Sequence, residues 1–260
     1  MIAAPNPKDA EPFAADGGQV GIVLSHGFTG KPGSLRPWAE HLAAAGYTVR
    51  LPLLPGHGTT WRDTNRTRWT DWYRAVEQAY DEVAERCSTV FAGGLSMGAT
   101  LVTHLAAQKG DAISGLALVN PAYGTPRFDA RFAPYISWAV KSRPSIGGDI
   151  KKPGSDEPAY DRTPVAAFAS LLKLWKVTVA ELPTITTPII MFRSREDHVL
   201  GELSGRLLLE RATSTTVREV ILEDSYHVAT LDNDAPRIFE GSVEFFRSLT
   251  PASSTENAST

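Results

Sequence analysis

The chain runs to 260 residues, 42% of them hydrophobic with Tyr counted and Gly not, a globular composition that argues against a wholly disordered or fibrous polypeptide. Its 26 basic and 29 acidic residues leave a formal charge of −3, so no global cationic field favours nucleic acid or anionic lipid. The one cysteine, Cys87, excludes an intramolecular disulfide framework, and the length suits one domain with an insertion, or at most two.

Residues 1–18 carry Pro5, Pro7 and Pro12 and no basic run ahead of an apolar one, so they do not read as a secretory signal. No stretch approaches the ~20 apolar residues of a membrane span. A soluble, cytoplasmic protein is expected. The first strong strand is expected over residues 20–24, then the glycine-rich turn Ser25-His26-Gly27-Phe28-Thr29-Gly30 and a helix over 34–45. A strand over 47–51, a helix over 71–86, a strand over 89–95, a helix over 99–109 and a strand over 116–120 follow. Between Pro121 and Pro183 no strand is expected. Aromatics, prolines and a helix-like stripe of Val165, Phe168, Leu172 and Trp175 stand there instead, packing onto the sheet edge or lining a pocket. Strands over 189–192 and 218–222 and helices over 203–211 and 236–246 complete the pattern. Strands alternating with crossover helices specify an α/β fold with a mainly parallel central sheet, flanking helices and an inserted helical cap. The expected division is 1–122 with 183–250 as core, 123–182 as cap, and 251–260 as a disordered Ser/Thr-rich tail.

The first chemical signal is Gly94-Leu95-Ser96-Met97-Gly98, directly after an apolar strand and before a helix. A serine on so sharp a turn is forced outward, and side chains in place of the glycines would collide with the turn. Ser96 is therefore the candidate nucleophile, and a serine hydroxyl needs a base within hydrogen-bond reach and a third group to hold that base. Of six histidines, His41 and His104 fall in helices and read as surface or packing residues, while His26 and His57 sit in early turns. His227, in the loop after the last apolar strand, can reach back over the carboxyl edge of the sheet and is the candidate base. In the order nucleophile, acid, base, the acid follows strand 189–192, where Asp197 and Glu196 both stand and His198 is a neighbour. The shorter Asp197 suits a fixed, buried partner. The amides of Met97 and of Phe28 are the expected donors to a developing oxyanion, each worth about 3 kcal/mol in the transition state.

The chain resembles the α/β-hydrolase superfamily and, within it, bacterial monoacylglycerol lipases and related carboxylesterases. The resemblance is carried by His26-Gly27-Phe28-Thr29-Gly30, Leu54-Pro55-Gly56-His57-Gly58-Thr59 and Gly94-Leu95-Ser96-Met97-Gly98. It extends to Asp149-Ile150-Lys151-Lys152-Pro153, Glu157-Pro158-Ala159-Tyr160 and Thr163-Pro164 in the cap. Ala99 stands where a glycine often follows the elbow, and Leu200 where a Val-Pro ending is common after the acid. The resemblance implies Asp197 rather than Glu196 as acid, an acyl tunnel shaped by the cap, and Glu157 as acceptor for a glycerol hydroxyl. It implies ester hydrolysis through an acyl-enzyme, most readily of monoacylglycerols. A general carboxylesterase is the alternative, followed by a thioesterase or acyltransferase, or a binding protein that keeps the pocket. A serine at the elbow disfavours haloalkane dehalogenases and epoxide hydrolases, which attack through an aspartate there. The expected partner is a small ester or lipid, with no nucleic acid, no metal or organic cofactor, and at most transient contact with a membrane surface.

Overall fold

The computed structural model describes residues 7–126, 130, 132–145, 148–155, 157 and 160–251. The tail expected to be disordered lies, from residue 252 on, outside the described residues. Seven strands form the central sheet: β1 (Phe13–Ala15), β2 (Val20–Ser25), β3 (Thr48–Leu51), β4 (Thr89–Leu95), β5 (Gly115–Val119), β8 (Ile189–Ser194) and β9 (Val217–Leu222). Their order is β1-β3-β2-β4-β5-β8-β9, with β1 antiparallel to β3 and every other pairing parallel. The middle strand, β4, buries all seven of its residues, as a parallel strand covered on both faces must. The edge strand β9 leaves Arg218 and Glu219 exposed and buries only Leu222 fully.

Helices cover both faces. On one face α1 (Arg36–Ala44) and α8 (Ala235–Leu249) pack Trp38, Leu42, Ile238 and Phe246 onto the sheet. On the other lie α3 (Trp69–Ala84), α4 (Met97–Lys109) and α7 (Leu203–Arg211). Helix α3 shows why: Trp72, Val76, Ala79, Tyr80 and Val83 recur at helical spacing and are all buried, so one stripe meets the sheet and the rest stays in water.

The chain leaves the sheet between β5 and β8. There it forms the single-turn α5 (Ala133–Ile136), the hairpin strands β6 (Ser142–Pro144) and β7 (Arg162–Pro164), and the long α6 (Val165–Glu181). The hairpin corrects the expectation that no strand lies between Pro121 and Pro183. Each of its strands is three residues long and ends in proline, too short for an alternating pattern to show. Strand β1 and the single turn α2 (Trp61–Thr64) are likewise too short to have been read from the sequence. Among the described residues no helix is long and apolar enough to cross a membrane.

The topology fixes where a site can form. The chain moves from β2 outward to β3 and returns to β4 on the far side of β2, so the carboxyl ends of β2 and β4 flank the point at which the strand order reverses. In open α/β sheets ligands bind at that crevice. The turn His26-Gly27-Phe28 follows β2 there, and Ser96 follows β4.

Candidate active site

Ser96 occupies the single residue between β4 and α4, at φ 56° and ψ −119°, a left-handed backbone that a residue with a side chain rarely adopts. Such a conformation costs on the order of 1–3 kcal/mol and persists only where its surroundings dictate it. Here they do. A Cβ on Gly98 would lie 1.9 Å from the Ser25 carbonyl oxygen, and one on Gly94 would lie 2.5 Å from the Gly98 carbonyl carbon. The two glycines let α4 close onto the ends of β2 and β4, and the turn between them turns Ser96 out.

The Ser96 hydroxyl lies 2.9 Å from His227 Nε2, and His227 Nδ1 lies 2.7 Å from Asp197 Oδ2. The other Asp197 oxygen, Oδ1, accepts the amides of Val199 and Leu200, each at 2.8 Å. The sheet thus brings together the predicted nucleophile, base and acid, while Glu196 stays exposed. Burial pushes the His227 imidazole down. The charge and hydrogen bond of Asp197, with the charges of Glu157 and Asp149, push it up by more, so it stands above the ordinary histidine value. For Asp197, burial acts upward, but His227 and the two amides hold the carboxyl below its usual range. The pair favours an imidazolium beside a carboxylate, the ion pair that proton transfer from Ser96 creates.

Three polar residues that sequence reasoning missed hold the His227 loop. Asn120, at the end of β5 with φ 41°, donates from Nδ2 to the His227 carbonyl at 2.8 Å and accepts the Ser194 amide at 2.8 Å. Buried Asp232 accepts the amides of Tyr226, Lys151 and Lys152 at 2.8–2.9 Å. Asp149 accepts the amides of both His227 and His198. Asn120 stands just past a parallel strand, a residue type that tolerates positive φ, and Asp149 opens one of the segments that carry the family resemblance, but neither signal told the role.

A cavity of about 300 Å³ opens at Ser96 and His227. Its walls are mainly apolar: Val165, Phe168 and Trp175 of the predicted stripe line it, joined by Phe28, Ala133 and Ile136. Leu172, the fourth member of the stripe, packs against neighbouring apolar residues instead. Phe28 therefore lines the cavity while its ring packs near Trp72 and Phe168, at centroid distances of 5.8 and 6.2 Å. Met97 is the first residue of α4, so its amide is among those with no acceptor inside the helix. Glu157 also lines the cavity. Its Oε1 would lie 3.1 Å from a Cβ on Gly30, a near approach that the glycine leaves open.

The remaining histidines serve structure. His26 Nδ1 donates to the Gly27 carbonyl at 3.0 Å and its Nε2 accepts the Leu54 amide at 3.1 Å, an arrangement that requires the neutral ring. Burial takes His26 down to about 3 and the adjoining His57 to about 4. His104 joins Glu181 at 2.7 Å, His41 packs on Phe239, and His198 binds Asp149. Among the described residues no three His, Cys, Asp or Glu side chains are grouped so as to hold a metal ion.

The sequence and the fold both have well-described relatives. The family model described as Serine aminopeptidase, S33 (Hydrolase_4) matches residues 19–234. A thermostable monoacylglycerol lipase of Bacillus sp. (strain H-257) is 45% identical over 243 residues, 91% of this chain and 94% of that one. A carboxylesterase of Bacillus subtilis (strain 168) is 23% identical over 92% of this chain and 97% of its own. A solved structure from the metagenome-derived lipolytic enzymes LipS and LipT superposes with a TM-score of 0.89 at 39% identity, covering 92% of this chain and 98% of that one. Monoglyceride lipase from Saccharomyces cerevisiae, at 15% identity over 92% of this chain and 89% of that one, shares the fold with a TM-score of 0.75. With a parallel sheet that carries Ser96 at its central crevice and a family match over most of its length, the chain belongs to the Hydrolase_4 family of serine α/β-hydrolases.

Proposed function

We propose that the protein hydrolyses carboxylic esters through an acyl-enzyme on Ser96, and that monoacylglycerols are its preferred substrates. The observation that carries the reading is the unbroken hydrogen-bonded chain from Ser96 through His227 to Asp197, opening on an apolar cavity. His227 takes the Ser96 proton as the hydroxyl attacks the ester carbonyl, and the amides of Phe28 and Met97 receive the oxyanion. The imidazolium, steadied by Asp197, passes its proton to the departing alcohol and leaves the acyl group on Ser96. Water repeats the sequence and releases the fatty acid.

The substrate class rests on the likeness to the Bacillus sp. enzyme and on the contrast between the apolar walls and Glu157, one of two carboxylates, with Asp149, that line the same cavity. In this reading the segment between β5 and β8 is a cap, the acyl chain lies along Phe168 and Trp175, and Glu157 accepts a glycerol hydroxyl. Transient contact with a lipid surface belongs to the same reading, supported by Tyr135 and Trp138, which stand open to solvent beside the cavity residues Ala133 and Ile136.

The test compares hydrolysis of monoacylglycerols, di- and triacylglycerols and p-nitrophenyl esters by the wild type, Ser96→Ala and Glu157→Ala. Ser96→Ala is expected to lose up to about a millionfold in kcat. Glu157→Ala is expected to lose its advantage on monoacylglycerols while keeping its rate on p-nitrophenyl esters. Equal wild-type rates on glycerides and simple esters would make it a general carboxylesterase, and an active Ser96→Ala would remove the acyl-enzyme altogether.

A further inference from the structure

Two loops carry the acid and the base, and a third segment of chain ties them together at one atom. Asp149 Oδ2 accepts the amide of His198, the residue next to the acid, at 3.1 Å, and the amide of His227, the base itself, at 3.2 Å. Its other oxygen, Oδ1, lies 2.8 Å from His198 Nδ1, which fixes the rotation of the carboxylate. The Asp149 carbonyl accepts the Val228 amide at 3.0 Å, so main chain and side chain grip the same loop. One of the two amides that meet at Oδ2 follows Asp197 in the chain and the other is that of His227, so they belong to the two backbones joined by the Asp197–His227 hydrogen bond. A shared acceptor there sets the separation of the two backbones from which that bond is made. The carboxylate is largely buried, 15% exposed, and its three donors compensate for its removal from water.

We propose that Asp149 is a positioning residue for the relay, holding the loops of Asp197 and His227 in register through one carboxylate. It also lines the cavity, so the segment that a substrate touches is the one that aligns the base. The proposal rests on the relay reading of Ser96, His227 and Asp197. The groups acting on His227 are Asp197 in direct contact, Glu157 and Asp149 from the segment between β5 and β8, and Ser96 from the elbow. Removing the charge of Asp149 takes away part of what favours the imidazolium. His227 then loses its proton at lower pH, and the acid limb of the rate profile moves the same way.

Two variants separate alignment from charge. Asp149→Asn keeps an oxygen for the two amides and can donate to a neutral His198 ring, so only the charge goes; Asp149→Ala removes the grip as well. On a short p-nitrophenyl ester, Asp149→Ala is expected to lower kcat by about 10–100-fold with KM within about twofold, the scale of a displaced catalytic group. Asp149→Asn is expected to recover most of that kcat, with the acid limb of kcat/KM shifted to lower pH. A wild-type kcat in Asp149→Ala, a loss confined to KM, or an unmoved acid limb in Asp149→Asn overturns the proposal. Should Asp149→Ala fail to melt cooperatively, Asp149→Glu, which keeps the charge but lengthens the arm that spaces the two loops, takes its place, and a wild-type kcat there overturns the proposal. Ser96→Ala run alongside separates the two readings: an inactive Ser96→Ala beside indifferent Asp149 variants defeats only the positioning role, whereas an active one defeats the relay.

Discussion

Asn120 shows how much of a site can depend on a residue that never meets substrate. Its side chain bridges Ser194, at the end of β8, and the carbonyls of Tyr226 and His227, so the strand end that leads to Asp197 and the loop bearing His227 share one amide group. Its φ of 41° separates the contribution of the side chain from that of the backbone. Both Asn120→Gly and Asn120→Ala are expected to lower kcat, since each drops the bridge. Asn120→Ala should in addition be less stable than Asn120→Gly by about 1 kcal/mol, because alanine pays the strain that glycine avoids. Urea unfolding of the two variants measures that difference. A single alanine substitution would merge the two effects.

At the scale of elements, α6 is fastened to α4, the helix that starts at the elbow. Glu181, the last residue of α6, binds His104 at 2.7 Å and Gln108 at 2.9 Å, both on α4. Glu181→Ala leaves a buried imidazole without its partner and is expected to cost about 1–3 kcal/mol, read as a lower denaturation midpoint. The same elements explain what was legible in the sequence. The run β4, Ser96, α4 is dictated locally: an apolar strand, two glycines forced by close backbone approach, then a helix, so the strand and Ser96 fall where expected and α4 starts two residues earlier, at Met97 rather than at residue 99. Helix α7 and strand β9 were legible through periodicity to within a residue. The hairpin β6–β7 was not, because the register of two three-residue strands comes from the partner strand rather than from either segment. Nor were Asp149 and Asp232. An aspartate that collects amides from as far as some 80 residues away does not show in sequence which loops it will tie.

For the whole molecule, the buried neutral pair His26 and His57 sets a limit in acid. The folded chain keeps His26 unprotonated down to about pH 3 and His57 down to about pH 4, whereas the unfolded chain takes up protons near the ordinary value of 6.5. Stability from this source is unaffected above pH 6.5 and falls as the pH drops below it, by about 2 kcal/mol per histidine at pH 5. A lower Tm at pH 5 than at pH 7 is expected, with a shallower fall in His57→Gln; equal slopes in the two proteins would assign the acid limit to other groups. The relay has a further consequence that concerns the order of synthesis. Ser96 and His227 meet across 131 residues. At about 5–20 residues per second Ser96 is made roughly 7–26 s before His227. Until then the Ser96 hydroxyl has no imidazole beside it. Hydrolytic competence therefore arrives late, once the loop that ends in Asp232 has left the ribosome and closed on the segment made some 80 residues earlier.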